Sequence, residues 1–168
     1  LGQLKGAAMK AGQLFSLEFS DVLPPEVTAI LRQLHDSSTF MPFDQVRYIL
    51  GRELGAERLS QLEELSIEPI AAASIGQVHR ARLRGQDVAI KIQFPGVASS
   101  IDSDLNVVRK LVEMAIQLRG TPVDMEPIFS AIATSLKREA DYLLEAANVI
   151  AYRQAITRPG YVIPTVFE

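Results

Sequence analysis

Lys91 is the residue whose type and setting most directly imply chemistry. It closes Val88-Ala89-Ile90-Lys91, an apolar run ending in a lone cation. Upstream, Ala71-Ala72-Ala73-Ser74-Ile75-Gly76-Gln77-Val78 keeps the spacing G-x-G-x-x-G-x-V, with alanine at the first two glycine positions and Gly76 at the third. The lysine run is the signature of a strand whose ammonium pairs with α- and β-phosphates, and the spaced loop is that of a cover over them. Either motif alone is weak, but their order makes each support the other. Glycines in such a loop let backbone N–H groups approach phosphates and tolerate positive φ. Ala71 and Ala73 narrow that freedom and set methyl groups against the phosphates, so a stiffer loop that restrains γ-phosphate chemistry is expected. The nucleotide-binding set is Ala71, Ala72, Ala73, Ser74, Gly76, Gln77, Val78, Ala89 and Lys91.

Bringing loop and lysine together requires a hairpin. Gln77 to Leu83 alternates polar and apolar, Arg84-Gly85-Gln86 supplies a turn, and Asp87 to Phe94 runs apolar around Lys91 before Pro95-Gly96 ends it. Residues 1 to about 65 read as helices, with Pro24-Pro25 and Pro42 as openers and Gly55 as a stop. After the hairpin the period is helical again over 99–119. Gly120-Thr121-Pro122 interrupts it, and a long helix is expected from about Met125 to Ile156. The closing stretch Tyr161 to Phe167 reads as a strand able to pair with the hairpin.

On the expected long helix, a count of 100° per residue groups Ile132, Leu136, Leu143, Ala147 and Ile150 in one stripe, with Glu139 in its middle. Asp141, Glu145 and Asn148 fall on the opposite face with Lys137 and Arg138. A carboxylate within an apolar stripe requires a cation or donors. The helix therefore reads as sandwiched, with an acidic site on each face; the blander reading is a rim position for Glu139 and a surface pair of Lys137 with Asp141. In the first segment, Gly2, Gly6 and Gly12 interrupt strong helix formers, each at a cost of about 1 kcal/mol, which suggests close backbone approach. His35 and His79 read as structural.

Composition sets outer bounds. The 168 residues are 48% hydrophobic and 22% charged, enough for one domain with a core. A net charge of −3 provides no basic field and argues against nucleic acid. The chain has no cysteine, hence no disulfide or thiolate chemistry. Apolar runs are broken well before the roughly 18 residues that suggest a membrane span. The ends, at Leu1 and Glu168, read as those of a segment of a larger protein.

With these motifs in place, the chain resembles the UbiB-type atypical kinase family, linked to ubiquinone and other prenyl-lipid metabolism. Lys10-Ala11-Gly12-Gln13 looks like its KxGQ motif, Ala71 to Gln77 its alanine-rich loop, and Glu139-Ala140-Asp141 its ExD motif. Val88 to Gly96 and Glu145-Ala146-Ala147-Asn148 are similar too. The resemblance implies an α+β, protein-kinase-like N-lobe: a small antiparallel sheet with an αC-type helix over 66–168, a helical insertion at about 99–119, and a helical KxGQ extension over 1–65.

It further implies roles. Lys91 would grip the nucleotide and Glu145 would be its acidic partner, the two forming the catalytic pair. Lys10 and Gln13 would lie on a lid directed toward Glu139 and Asp141, occluding the cleft where protein kinases admit peptides. ATP or ADP with Mg2+ is the implied cofactor, its metal ligands in an absent C-lobe; no metal site is assigned to this chain. The parent would be an ATPase or a kinase for a small or lipid-like substrate, while the segment alone would not turn over. The alternative is a catalytically silent, nucleotide-regulated scaffold for a biosynthetic complex on a membrane surface. A weaker reading makes residues 1–65 a partner-binding module. Implied partners are an adenine nucleotide, a lipid or membrane surface, quinone-biosynthesis proteins and a second copy in a homodimer. The implied location is the cytoplasm, peripheral to the inner membrane, in a bacterium, and mitochondria or plastids in a eukaryote.

Overall fold

The structure is a computed structural model that describes residues 40–73, 75–117 and 124–167. Lys10 and Gln13, with the part of the expected helical extension that precedes residue 40, lie outside the described residues, as does Ser74.

Pro42 caps the first described helix, α1 (Phe43–Ser60), where its fixed φ suits a helix entrance. Val46, Ile49 and Leu50, spaced i, i+3, i+4, form its buried face. At Gly55 the backbone leaves helical geometry, at φ 75° and ψ 165°, so the span is two helices meeting at a kink and the glycine is the stop between them.

A four-stranded antiparallel sheet follows: β1 (Leu62–Glu63), β2 (Ala71–Ala73), β3 (Gly76–Leu83) and β4 (Gln86–Gln93). β3 is central. β4 pairs along its whole length, from Gly76 opposite Gln93 to Leu83 opposite Gln86. β1 and β2 share its other edge, at opposite ends, and the Ser66 and Ile70 N–H groups donate to the Arg80 and Val78 carbonyls between them. The β3–β4 turn is two residues, Arg84 and Gly85, at φ 52° and 77°. Positive φ at both positions is the type I′ geometry, whose twist matches paired strands.

Three helices complete the described chain: α2 (Val97–Gln117), α3 (Glu126–Ala140) and α4 (Tyr142–Ala155). Two cores result. Met41, Val46, Ile49 and Leu50 pack on Ile92, with Ile90 and Phe94 at the margin, so α1 covers one face of the sheet. Ile101, Leu105, Val108 and Val112 of α2 pack on Met125 and on Phe129, Ile132 and Leu136 of α3.

Two expectations are corrected. The long helix over 125–156 is two helices, because Asp141 adopts φ −88°, ψ 87° and breaks it. The 100° count therefore does not carry across residue 141. Ile132 and Leu136 are buried, but Leu143 is 85% exposed and Ile150 lies at the surface. Lys137 pairs with Asp102 of α2 at 2.8 Å, not with Asp141. The closing stretch joins no described strand: residues 161–167 have no regular secondary structure, Val162 is 96% exposed, and Pro164 has no N–H to give a ladder.

Candidate functional site

Strand alternation and register sort the expected nucleotide residues onto two faces. Ala71 lies opposite Val78 and Ala73 opposite Gly76 across β2 and β3; Val78 lies opposite Lys91 across β3 and β4. Directly opposed residues share a face and successive ones alternate. Ala71, Ala73, Gly76, Val78, Ala89 and Lys91 thus occupy one face, free of the α1 core.

The side chains of Ala72 and Gln77 project to the other face. Gln77 is fully buried there. Its Oε1 accepts from Met41 N at 2.7 Å, its Nε2 donates to Met41 O at 3.3 Å, and Nε2 also lies 2.7 Å from His79 Nε2. His79 is buried as well, with Nδ1 2.8 Å from the Ser66 carbonyl. This polar chain ties residue 41 to the sheet.

On the Lys91 face, the break at Asp141 shapes the site. Asp141 accepts from Leu144 N at 2.9 Å through Oδ1, capping α4, so its carboxylate is engaged in starting that helix. Tyr142 and Glu145 then sit in the first turn of α4, one helical turn apart and both toward Lys91. Lys91 Nζ donates to Glu145 Oε1 at 2.9 Å and Oε2 at 2.7 Å, and lies 4.6 Å from the Tyr142 ring centre. Gln93, opposite Gly76, donates through Nε2 to the Ala140 carbonyl at 2.8 Å and pins the α3–α4 junction to the strand.

Tyr142 and Gln93 are the site residues that sequence reasoning missed. The signal for Tyr142 was its place directly after Asp141; nothing in its spacing from Lys91 revealed it. Its hydroxyl is buried and has no partner among the described residues. A Cβ added at Gly76 would meet that hydroxyl at 2.9 Å and the Ile92 carbonyl oxygen at 2.3 Å. Burial, then the Glu145 and Glu139 carboxylates, pushes the Tyr142 phenol up to about 12. Glu139, half-buried near the end of α3, is thus close enough to act electrostatically on this hydroxyl.

A small antiparallel sheet with its lysine paired to a helix glutamate, beneath an alanine-rich turn, defines the small lobe of a kinase-like fold. The chain belongs to the family described as ABC1 atypical kinase-like domain, whose model matches residues 33–168. It is 38% identical over 171 residues to "Atypical kinase COQ8, mitochondrial" of Schizosaccharomyces pombe, covering 100% of this chain and 28% of that protein. The Saccharomyces cerevisiae protein of the same name is 38% identical over 167 residues, with 98% and 33% covered. "Protein ACTIVITY OF BC1 COMPLEX KINASE 8, chloroplastic" of Arabidopsis thaliana is 36% identical over 164 residues, with 95% and 21% covered. The chain thus spans about a third or less of these relatives. It is also similar to the solved complex of Rv3197 with erythromycin from Mycobacterium tuberculosis, at TM-score 0.62 and 33% identity, covering 100% of this chain and 43% of that one. Among the described residues, no helix is long and apolar enough to cross a membrane.

Proposed function

We propose that this chain is the nucleotide-gripping part of an atypical kinase or ATPase that supports ubiquinone or other prenyl-lipid metabolism. The observation that carries the reading is the Lys91–Glu145 pair at 2.7 Å, on the face that also bears Ala71, Ala73, Gly76 and Val78. The phosphate end of ATP or ADP fits this face: it has a cation paired to Glu145, small residues in β2, and apolar Val78 and Ala89 toward the base. The metabolic assignment rests on the UbiB-type motifs and on family membership.

In this reading Lys91 donates N–H groups to the α/β-phosphate oxygens, and Glu145 pairs with the ammonium. The alanine-rich turn covers the phosphates with backbone N–H groups. The nucleotide supplies the phosphoryl group, with Mg2+ held by residues of a C-lobe outside this chain. Lys10 and Gln13 lie over the cleft toward Glu139 and Asp141 and exclude peptides, leaving water or a small or lipid-like acceptor. The relatives' mitochondrial and chloroplastic names support an organellar setting in a eukaryote.

Lys91→Ala in the full-length protein tests this reading. Loss of one charge-assisted contact should weaken Mg-ATP and Mg-ADP binding by roughly tenfold or more, read as a reduced thermal shift on titration. Equal shifts in variant and wild type would remove Lys91 from the nucleotide site.

A further inference from the structure

Building on the nucleotide reading of this face, we propose that Tyr142 is a positioning residue that locks the Lys91 ammonium and the alanine-rich turn into one unit. The ion pair alone leaves Lys91 loosely held. The Glu145 side chain is 49% exposed and that of Lys91 34%, and a pair so solvated is screened and weak. A cation over an aromatic face gains a second attraction that sets direction as well as distance. One turn of α4 supplies both groups, so the ammonium is held between the carboxylate of Glu145 and the ring of Tyr142.

The ring is itself held. Its tip occupies the space a side chain at position 76 would fill, 2.9 Å from that absent Cβ. Gly76 is therefore the seat of the tyrosine: the side chain missing there leaves the space that the hydroxyl takes, which sets the ring against the start of β3. A buried hydroxyl with no partner among the described residues is costly and points to constraint rather than to packing alone. The hydroxyl also stays protonated across the neutral range, since burial and the two glutamates disfavour phenolate, so no second negative charge competes for Lys91. Movement of the turn, which covers the phosphates, thus reaches the lysine that grips them.

The test uses Tyr142→Leu, Tyr142→Phe and Lys91→Met in the full-length protein. In the nucleotide-free state, the Lys91 ε-methylene protons should be shifted upfield by the ring in wild type and Tyr142→Phe, and the shift should vanish in Tyr142→Leu. An unshifted Lys91 in wild type overturns the inference whatever the nucleotide does. With Mg-ATP, Tyr142→Leu should bind roughly three- to tenfold more weakly, and Tyr142→Phe should stay within about twofold of wild type. The Leu substitution should cost nothing further in the Lys91→Met background. Independent, additive losses would mean that the tyrosine only supports the fold. Equal Mg-ATP binding by wild type and Lys91→Met would fell the nucleotide reading instead, while the ring shift still decides the role of Tyr142.

Discussion

Gly76 is the third glycine of the loop pattern, and its reason is local. A methyl group there would stand 2.3 Å from the Ile92 carbonyl, a backbone atom held in the β3–β4 ladder, and 2.9 Å from the Tyr142 hydroxyl. The tyrosine could retreat; the carbonyl cannot without breaking the ladder. Gly76→Ala should therefore destabilise the fold by roughly 1–3 kcal/mol, the range for forced overpacking, read from the midpoint of a urea melt at unchanged slope. A midpoint equal to wild type would show that the turn yields freely. This glycine and Lys91 were legible in the sequence because both sit in short-range patterns, and the strand register puts them on one face. The burial of the Gln77 side chain was not legible, because the loop spacing ranks residues by number, whereas the pleat sends neighbours to opposite faces. Its amide serves Met41, a partner 36 residues away that no local pattern encodes.

At the scale of elements, the hairpin was legible and the helices less so. Alternation ending in Arg84-Gly85 specifies two strands and a turn with little ambiguity. The break at Asp141 has no glycine or proline to mark it, and an aspartate can cap a helix or ride on one. Only the packed surroundings decide, here the hold of Gln93 on the Ala140 carbonyl. The α2–α3 pair carries a separate acidic feature, Asp104, buried in α2 and accepting from Ser100 Oγ at 2.9 Å. Burial raises its carboxyl above the ordinary aspartate range, more than the serine lowers it. A raised acid holds its proton longer in the folded state, so its contribution is most favourable below about pH 4, the unfolded value. That contribution is lost as pH climbs through the folded value. Asp104→Asn keeps an acceptor for Ser100 and removes the buried charge. It should melt higher than wild type at pH 7, with the gap closing toward pH 4. The same gap at both pH values in calorimetry would mean that the carboxylate carries no burial penalty.

At the scale of the whole molecule, the site depends on how separate pieces meet. The sheet has α1 on one face, and the lysine face is completed by the α3–α4 junction. That junction is anchored through α3 to α2, and Lys137 to Asp102 ties the same two helices at the surface. Glu139 stands near the end of α3, half-buried and beside the tyrosine of the site. Lys10 of the KxGQ motif is the cation proposed to meet it. Were that pair well buried, removing one partner would cost roughly 3–5 kcal/mol; fully exposed, the coupling would be at most about 1 kcal/mol. Glu139 is neither, so a coupling of about 1–3 kcal/mol is expected between Lys10→Met and Glu139→Met. The double variant should recover much of what either single variant loses, because no charge is left stranded. A double-mutant cycle by denaturant melting measures it. Coupling indistinguishable from zero would mean that Lys10 meets something other than Glu139, and that the lid, if it closes the peptide cleft, closes it by another contact.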